Sequence, residues 1–193
     1  MAFFGKRWEN YQEKIKENWL KVVKEDDLVL IPGDISWAMT LSSALIDLKW
    51  IDNLPGKKVL LKGNHDYWWP SNKKLQENLP PSIHFVNNTI FNSDTVTIGG
   101  TRLWDTEEYF FNEYTVFQEN PRAKETKPQD KEVAKKIFEK ELTKLDLNLS
   151  QMNPDATLRI AMTHYPPIGA DLKDSKTSKI LKKHKIDIVI FGH

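Results

Sequence analysis

Short apolar runs alternate with segments of helical period along the first part of this chain. Leu28–Ile31 and Val59–Leu61 are strand-like runs, and each is followed by a turn that contains glycine. Lys6–Lys24 and Thr40–Leu54 carry apolar residues at the spacing of amphipathic helices. A chain that returns through a helix re-enters its sheet in the same direction, so this alternation predicts parallel strand pairing. The sequence therefore predicts an α/β fold.

The middle of the chain changes to short β-rich runs. Ile83–Val86, Thr89–Phe91 and Thr95–Ile98 have strand-like composition, with a hairpin turn at Asn92-Ser93-Asp94. These runs predict an antiparallel addition or a second sheet. The remaining predicted elements are helices at Ser71–Asn78 (with Ser71 as N-cap), Gln129–Leu149 and Ser178–His184, strands at Leu158–Met162 and Ile186–Phe191, and a surface insertion over Asp105–Pro128.

The composition excludes several classes of protein. The 28 basic residues nearly balance the 27 acidic ones, for a net charge of +1, which argues against a dedicated nucleic-acid binder. Cysteine is absent, so neither disulfides nor thiolate metal sites can form. No apolar stretch approaches the roughly 20 residues of a membrane span, and no secretory leader is apparent. We therefore expect a cytoplasmic protein without membrane association.

Four predicted strands end in polar residues of one chemical kind. Gly33-Asp34 follows the first, Gly63–Asp66 the second, Thr163-His164 the third and Gly192-His193 the fourth. Ligands of open α/β sheets bind beyond the carboxyl ends of the strands. We therefore expect these aspartate, asparagine and histidine side chains to gather at one edge. The glycine before Asp34, Asn64 and His193 lets the backbone turn sharply there.

Each of these residues alone has an ordinary structural interpretation. A Gly-Asp pair is commonly a turn, an isolated buried histidine is more often hydrogen-bonded than metal-bound, and Asn64 could cap a helix. The combination is more informative, because three of the five histidines follow apolar strands. One carboxylate, one amide oxygen and two imidazoles suit Mn, Fe or Zn, and not Ca. A metal with a further histidine indicates hydrolysis, in which the metal acidifies water and the imidazole protonates a leaving group.

These four blocks, in this order, resemble those of the calcineurin-like metallophosphoesterases. Pro32–Ala38 and Gly63–Trp69 look like the bacterial branch of predicted phosphohydrolases. The resemblance extends from Asp34 to His193, which is most of the chain. It implies a metallophosphoesterase-like sandwich of two mixed β-sheets flanked by helices. It also implies an enzyme that hydrolyses a phosphate mono- or diester by means of metal-activated hydroxide.

The resemblance assigns a role to each residue of the blocks. Asp34 matches an aspartate that bridges two metals. The ligands of the second metal correspond to Asn64, His164 and His193. His65 matches a histidine beside the leaving-group oxygen, which acts as acid or transition-state stabiliser. Asp66 is expected to orient His65, as a carboxylate commonly does for an imidazole.

Two parts of the family pattern are missing from this sequence. The first block, Asp-x-His, occurs nowhere in it, and the second histidine of the Gly-His-x-His block would lie beyond His193. We therefore expect residues 1–193 to form one incomplete domain that lacks the first strand and the C-terminal part. Such a chain should bind about one metal ion where the complete family site holds two.

The sequence leaves other functions open. A fragment or degenerate relative could bind one metal or phosphate without turnover. A structural α/β domain could carry polar strand ends by coincidence. The oligomeric state, the metal and the identity of the phosphate-ester substrate are open as well.

Several further features have both a structural and a functional interpretation. Trp68 and Trp69 either pack a helix onto the sheet or stack on a nucleobase. The aromatic residues at positions 109–111 and 114 either anchor the insertion or cap a substrate. The six lysines of Lys173–Lys185 form either a solvated helix face or a surface that attracts phosphorylated molecules. Arg102 could contact phosphate, although no pattern places it at the site.

Overall fold

The computed structural model describes residues 8–109, 111 and 128–193 of the chain. Within these ranges two β-sheets are flanked by helices, which confirms the predicted α/β class and the sandwich that the family resemblance implies. In chain order the elements are α1 (Tyr11–Val22), β1 (Leu28–Ile31), α2 (Leu41–Asp52), β2 (Lys57–Leu61), α3 (Asn72–Asn78), β3 (Ile83–Val86), β4 (Phe91–Asn92), β5 (Val96–Thr101), α4 (Pro128–Leu149), β6 (Leu158–Thr163), α5 (Lys176–Lys183) and β7 (Ile188–Ile190).

The two sheets combine parallel and antiparallel pairing. β1, β2 and β3 form the first sheet in that order, and both pairs are parallel. β4, β5, β6 and β7 form the second sheet, in which β4 pairs antiparallel with β5 and the other pairs are parallel. β4 and β5 enclose the predicted hairpin turn, where the amide of Ser93 donates to the carbonyl of Val96 at 2.9 Å. The β-rich middle of the chain therefore supplies both an antiparallel strand and part of a second sheet.

The layered packing explains why the strands are continuous apolar runs. Val59 and Leu61 of β2 lie in one buried cluster with Ile160 of β6, between the two sheets. Leu60, which points the other way, is buried against α2 and α3. The second sheet is covered in the same manner by α4 and α5. Both faces of the central strands are therefore apolar, as is typical of parallel sheets between two covering layers.

Helix α1 differs most from its prediction. The apolar spacing predicts a helix over Lys6–Lys24 with Ile15 and Val22 on a buried face, whereas α1 is shorter and contains no buried residue. Ile15 is 45% exposed and Val22 is 73% exposed. The indole N–H of Trp19 donates to the carbonyl of Pro55 at 3.0 Å and ties α1 to the loop after α2. An apolar stripe indicates which face favours burial, but whether another element covers that face depends on tertiary packing.

Side-chain caps fix the starts of two helices. Thr40 Oγ1 accepts the amide hydrogen of Ser43 at 3.3 Å at the start of α2, and Ser175 forms a capping box with Ser178 at the start of α5. Ser71 stands at the N-cap of α3, as predicted, but its side chain makes no capping hydrogen bond. The caps hold α2 and α5 against the outer faces of the two sheets.

The structure decides one of the alternative interpretations. Trp68 and Trp69 are buried with residues of α2, α3 and the first sheet, so they pack these helices onto the sheet. The lysines of Lys173–Lys185 are all exposed, which both a solvated face and a surface that attracts phosphorylated molecules require. Most of the predicted insertion at 105–128 lies outside the described residues, and Pro128 is already the first residue of α4. In the described part of the chain, no helix combines the length and the apolar character that crossing a bilayer requires.

A buried lysine closes the C-terminal end of α2. The side chain of Lys58, on β2, has no solvent exposure. Its ammonium donates to the carbonyls of Asp52 (3.3 Å) and Leu54 and to the hydroxyl of Ser82 (3.2 Å). Burial lowers the pKa of Lys58, and the negative charge of Asp52 opposes this effect. Lys58 therefore provides donors to carbonyls at a helix end that would otherwise be unsatisfied.

Lys58→Met should lower the free energy of unfolding by roughly 1–3 kcal/mol, because methionine fills similar space but leaves these carbonyls without a donor. The melting temperature of a chain of this size should fall by about 2–4 °C per kcal/mol. Lys57→Met is the matched control, since Lys57 is the exposed neighbour on the same strand. Thermal unfolding followed by circular dichroism measures the difference. Equal melting temperatures for the two variants would mean that the ammonium does not stabilise the helix end.

Candidate metal centre

The turn after β1 contains two consecutive residues in the left-handed region of backbone conformation. The φ angle is 106° at Gly33 and 56° at Asp34. A Cβ atom on residue 33 would lie 2.5 Å from Nδ1 of His164 and 2.8 Å from Cα of Gly63. Glycine is therefore required at this position by both conformation and space. The turn can thus approach the ends of β2 and β6 closely.

The turn after β2 approaches the first turn just as closely. A Cβ atom on residue 63 would lie 2.2 Å from Oδ1 of Asp34. The same carboxylate oxygen accepts the amide hydrogen of His65 at 3.0 Å. Gly63 therefore leaves room for the Asp34 side chain, and the His65 amide holds it in place.

Asp66 joins these two turns. The residue is fully buried. Its carboxylate accepts five hydrogen bonds, from Gly63 N (2.8 Å), Asp34 N (2.9 Å), Ile35 N (2.9 Å), Ser36 N (3.1 Å) and Trp68 Nε1 (3.0 Å). Donors of this number compensate for the cost of burying a charged group. The conformation of the turn that carries Asp34 therefore depends on Asp66.

His65 has different neighbours from those expected. Its Nδ1 lies 3.2 Å from the hydroxyl of Tyr67, and its ring stacks on Trp37 with 5.2 Å between centroids and 27° between planes. The expectation that Asp66 orients the His65 ring is therefore wrong. The physical reason is that the two turns direct backbone amides at the Asp66 carboxylate, and these amides and Trp68 occupy its oxygens.

Three further side chains meet Asp34 at the edge of the sheets. His164, buried after β6, donates from Nδ1 to the carbonyl of Pro32 at 2.8 Å, because a carbonyl oxygen can only accept. Its Nε2 lies 2.7 Å from Oδ1 of Asn64, 3.2 Å from Nδ1 of His193 and 3.4 Å from Oδ1 of Asp34. The structure thus brings together the four residues that the sequence indicated as metal ligands.

The chemistry of this cluster suits a cation. With its proton on Nδ1, a neutral His164 ring presents a lone pair at Nε2. That lone pair faces a carboxylate oxygen and an amide oxygen, neither of which can donate. The atoms of Asp34, His164 and His193 that could bind a metal all lie within 4.8 Å of one another. Converging lone pairs of this kind repel one another unless a proton or a metal cation lies among them, and oxygen and imidazole ligands together fit a divalent transition metal.

Partial burial and a neighbouring histidine favour the neutral form of His193. Its ring stacks on Tyr165, with 4.1 Å between centroids and 25° between planes. Partial burial lowers the pKa of His193, and the neighbouring His164 lowers it further. Neutral imidazole is the form that binds metals. Burial also raises the pKa of Tyr165 to about 12, so its hydroxyl stays protonated at neutral pH.

A cavity of about 1000 Å³ opens beside His193. Its walls combine aromatic rings, among them Trp104, Tyr109 and Tyr165, with charged side chains of α4. The hydroxyl of Tyr109 donates to the carbonyl of Pro166, and burial raises the pKa of that hydroxyl. Tyr109 therefore holds the start of the predicted insertion against the loop after β6. The cavity can accommodate an organic group attached to a ligand at the cluster.

Sequence reasoning missed a fifth strand end at this edge. The predicted strand stops before Gly99-Gly100, but β5 continues to Thr101 and runs parallel to β6. The carbonyl of Arg102 accepts the amide hydrogens of His164 (3.2 Å) and Tyr165 (2.9 Å), so the segment after β5 lies beside the cluster. Because glycine is uncommon inside strands, the Gly-Gly pair indicated that the strand ends before it, whereas β5 continues beyond it.

Comparison with known proteins identifies a family whose sequence model matches this chain. The family model for calcineurin-like phosphoesterases matches residues 6–193. Among curated proteins, the Gene 66 protein of Mycobacterium phage L5 is 40% identical over 65 residues. That stretch covers 34% of this chain and 31% of the phage protein, so the match spans less than a third of the relative's length.

Two solved structures resemble the chain in outline. A protein of unknown function from Aquifex aeolicus gives a TM-score of 0.35 at 19% identity, over 92% of this chain and 73% of the other. Phosphopantetheinyl hydrolase from Mycobacterium tuberculosis gives a TM-score of 0.45 at 13% identity, over 92% of this chain and 77% of the other. These scores are too low for either structure to bear on the function of this chain.

Asp66→Asn should destabilise the protein and weaken metal binding together, although Asp66 is not one of the four clustered residues. The substitution keeps the shape of the side chain but replaces one accepting oxygen with an NH₂ group. That group cannot accept hydrogen bonds from the backbone amides around it. We expect the free energy of unfolding to fall by at least about 1–3 kcal/mol. Thermal unfolding and calorimetric titration with Mn²⁺ measure the two effects.

Asp171→Asn is the control for this prediction, because it makes the same chemical change at an exposed carboxylate. It should leave both the melting temperature and the Mn²⁺ affinity near those of the unmodified protein. A Mn²⁺ affinity that is unchanged in the Asp66→Asn protein would contradict the role given to Asp66.

Proposed function

We propose that this chain, which belongs to the calcineurin-like phosphoesterase family, is a metal-dependent hydrolase of phosphate mono- or diesters. One observation carries this proposal. Four potential ligands from four strand ends meet around one point, namely Asp34, Asn64, His164 and His193. Such a concentration of lone pairs at the carboxyl ends of parallel strands is what a catalytic metal requires.

The four clustered side chains would hold the metal. Their mixture of oxygen and imidazole nitrogen atoms favours Mn, Fe or Zn over Ca. When bound, such a cation supplies Lewis acidity, which acidifies water and offsets negative charge on phosphoryl oxygens. The chain contributes preorganisation: the Pro32 carbonyl fixes the His164 ring, and Asp66 fixes the turn that presents Asp34.

We expect about one metal ion per chain of these 193 residues. Within the described part of the chain, one group of histidine and carboxylate side chains has the geometry of a metal site, that of Asp34, His164 and His193. The family resemblance gives Asp34 a bridging role between two metals, but the Asp-x-His block that would serve the other metal is absent from this sequence. Asp34 would then act as a ligand of a single ion.

His65 is the proposed proton donor to the leaving group. Its amide donates to Oδ1 of Asp34 at 3.0 Å, which places the residue beside the cluster. Tyr67 contacts Nδ1 and Trp37 stacks on the ring, so the orientation is held and Nε2 is left for the substrate. As water oxygen bonds to phosphorus and the ester P–O bond breaks, a doubly protonated His65 ring can pass its Nε2 proton to the ester oxygen, which releases an alcohol and leaves a neutral imidazole.

The cavity beside His193 would receive the organic part of the ester. Its aromatic walls provide apolar contact area, and the protonated hydroxyl of Tyr165 can donate a hydrogen bond. The size of the cavity, about 1000 Å³, admits a substituent considerably larger than a phosphate group. These features support an organic phosphate ester as the substrate class.

A second candidate function is binding of a metal or of phosphate without turnover. The single group of metal-ligating side chains among the described residues favours it, because that group holds one metal and the family reaction uses two. The two functions predict the same metal content and differ in turnover. A measurement of both quantities on one preparation therefore separates them.

Metal content tests the ligand assignment. After loading with Mn, Fe or Zn and dialysis, the protein should retain about one ion per chain, and His164→Ala should retain almost none, because its Nε2 lies at the centre of the cluster. His84→Ala removes a half-buried histidine of β3 as the control. Plasma emission spectrometry measures the stoichiometry. Equal metal content in the two variants would contradict the assignment.

Leaving-group dependence tests the role of His65. His65→Asn should lower the turnover of phenyl phosphate by roughly 10²–10⁴-fold, the usual contribution of a general acid. Turnover of p-nitrophenyl phosphate should fall much less, because p-nitrophenolate leaves without protonation, and the metal content should not change. Equal losses for both esters would contradict the proton-donor role. A metal-loaded parent protein that hydrolyses neither ester would support the second candidate function.

A further inference from the structure

A second cavity, of about 200 Å³, lies between the ends of β2 and β5. Lys62 follows β2, while Thr101 ends β5 and Arg102 follows it. Glu141 and Lys144 of α4 complete this part of the wall. Among the described residues that line it, none is one of the four clustered metal ligands. It is therefore a site distinct from the metal centre.

Two side chains that line the cavity each carry a buried polar atom with no hydrogen-bond partner among the described residues. These atoms are the indole N–H of Trp69, a side chain that is 8% exposed, and the hydroxyl of Thr101, which is 6% exposed. An indole N–H can only donate, and buried donors in folded proteins are almost always satisfied. Two such groups in one cavity point to a ligand that accepts hydrogen bonds.

The charges around this cavity are unbalanced. Three cations, Lys62, Arg102 and Lys144, line it together with one carboxylate, Glu141. Glu141 is paired with Lys144 at 2.6 Å and lies 3.9 Å from Nε of Arg102. Lys62 makes no ion pair with the described residues, and its side chain is partly buried. Positive charge that is partly buried and unpaired is unfavourable unless an anion accompanies it.

We propose that this cavity binds a phosphate-sized oxyanion, either inorganic phosphate or the terminal phosphoryl group of a larger molecule. Trp69 and Thr101 donate to its oxygens, and Lys62 and Arg102 neutralise its charge. The volume suits a single such group. Neither the metal nor His65 takes part, so this site extends beyond the proposed hydrolysis and does not depend on it.

Other occupants fit the cavity less well. Water molecules would satisfy Trp69 and Thr101 but would leave the excess positive charge uncompensated. A metal cation would meet three like charges and a carboxylate that is already paired with Lys144. A tetrahedral oxyanion satisfies the donors and the charge together.

The test is a titration with inorganic phosphate, followed through the indole N–H signals in ¹⁵N–¹H NMR spectra. Trp69→Phe assigns the Trp69 signal. We expect that signal to shift downfield and to saturate, in zinc-loaded and in metal-free protein alike. The metal-free arm removes any contribution from phosphate at the metal centre.

Lys62→Met and Thr101→Val should each weaken phosphate binding by roughly tenfold, as the loss of a hydrogen bond to a charged group does. Lys62→Arg, which keeps the charge, should bind phosphate nearly as well as the parent protein. Lys74→Met is the control, since Lys74 is exposed on α3. Thermal unfolding of each variant verifies that it is folded.

Phenyl phosphate in the same titration separates the two sources of the anion. A saturating Trp69 shift with both compounds would identify a phosphoryl site, and a shift with inorganic phosphate alone would identify a site for the free anion. A Trp69 signal that does not move at tens of millimolar phosphate would overturn the proposal and leave water as the occupant. A shift that persists unchanged in both Lys62→Met and Thr101→Val would overturn it as well.

Discussion

The buried carboxylate of Asp66 fixes the two turns on which the candidate metal centre depends. Each turn leaves backbone amides without strand partners, and one anion collects amides from both. Because these bonds draw the turns together, Gly33 and Gly63 approach so closely that neither can carry a side chain. The same approach places Asp34 beside His164. A carboxylate outside the cluster of four candidate metal ligands thus determines where those side chains lie.

The two sheets supply the site in equal parts. Asp34 and Asn64 follow strands of the first sheet, whereas His164 and His193 follow strands of the second. Parallel pairing within each sheet brings the carboxyl ends of these strands to one edge. The buried layer between β2 and β6 then holds the two edges together. A metal bound by ligands from both sheets would stabilise the sandwich by an amount that grows with the logarithm of its affinity.

Much of this centre could be predicted from the sequence, because its ligands are polar residues placed directly after apolar strands. The partners of Asp66 could not be predicted, because backbone amides have no residue-type signature. His65 was the expected partner because a carboxylate commonly orients an imidazole. The strand end at Thr101 could not be predicted, because the two glycines before it are uncommon inside strands. Whether α1 is exposed depends on which other elements pack against it, and the apolar spacing within one helix does not predict that. The second cavity could not be predicted either, since its lining combines residues from Leu61 to Lys144 that no motif connects.

Two turns, joined by Asp66, should present four side chains to one metal ion. Diffraction from crystals grown with zinc, with data collected on both sides of the zinc absorption edge, locates that ion. We expect one strong anomalous peak in contact with all four clustered side chains, about 2.0–2.2 Å from Nε2 of His164 and from the Asp34 carboxylate. A zinc peak elsewhere, with these four side chains bound to no metal, would contradict it.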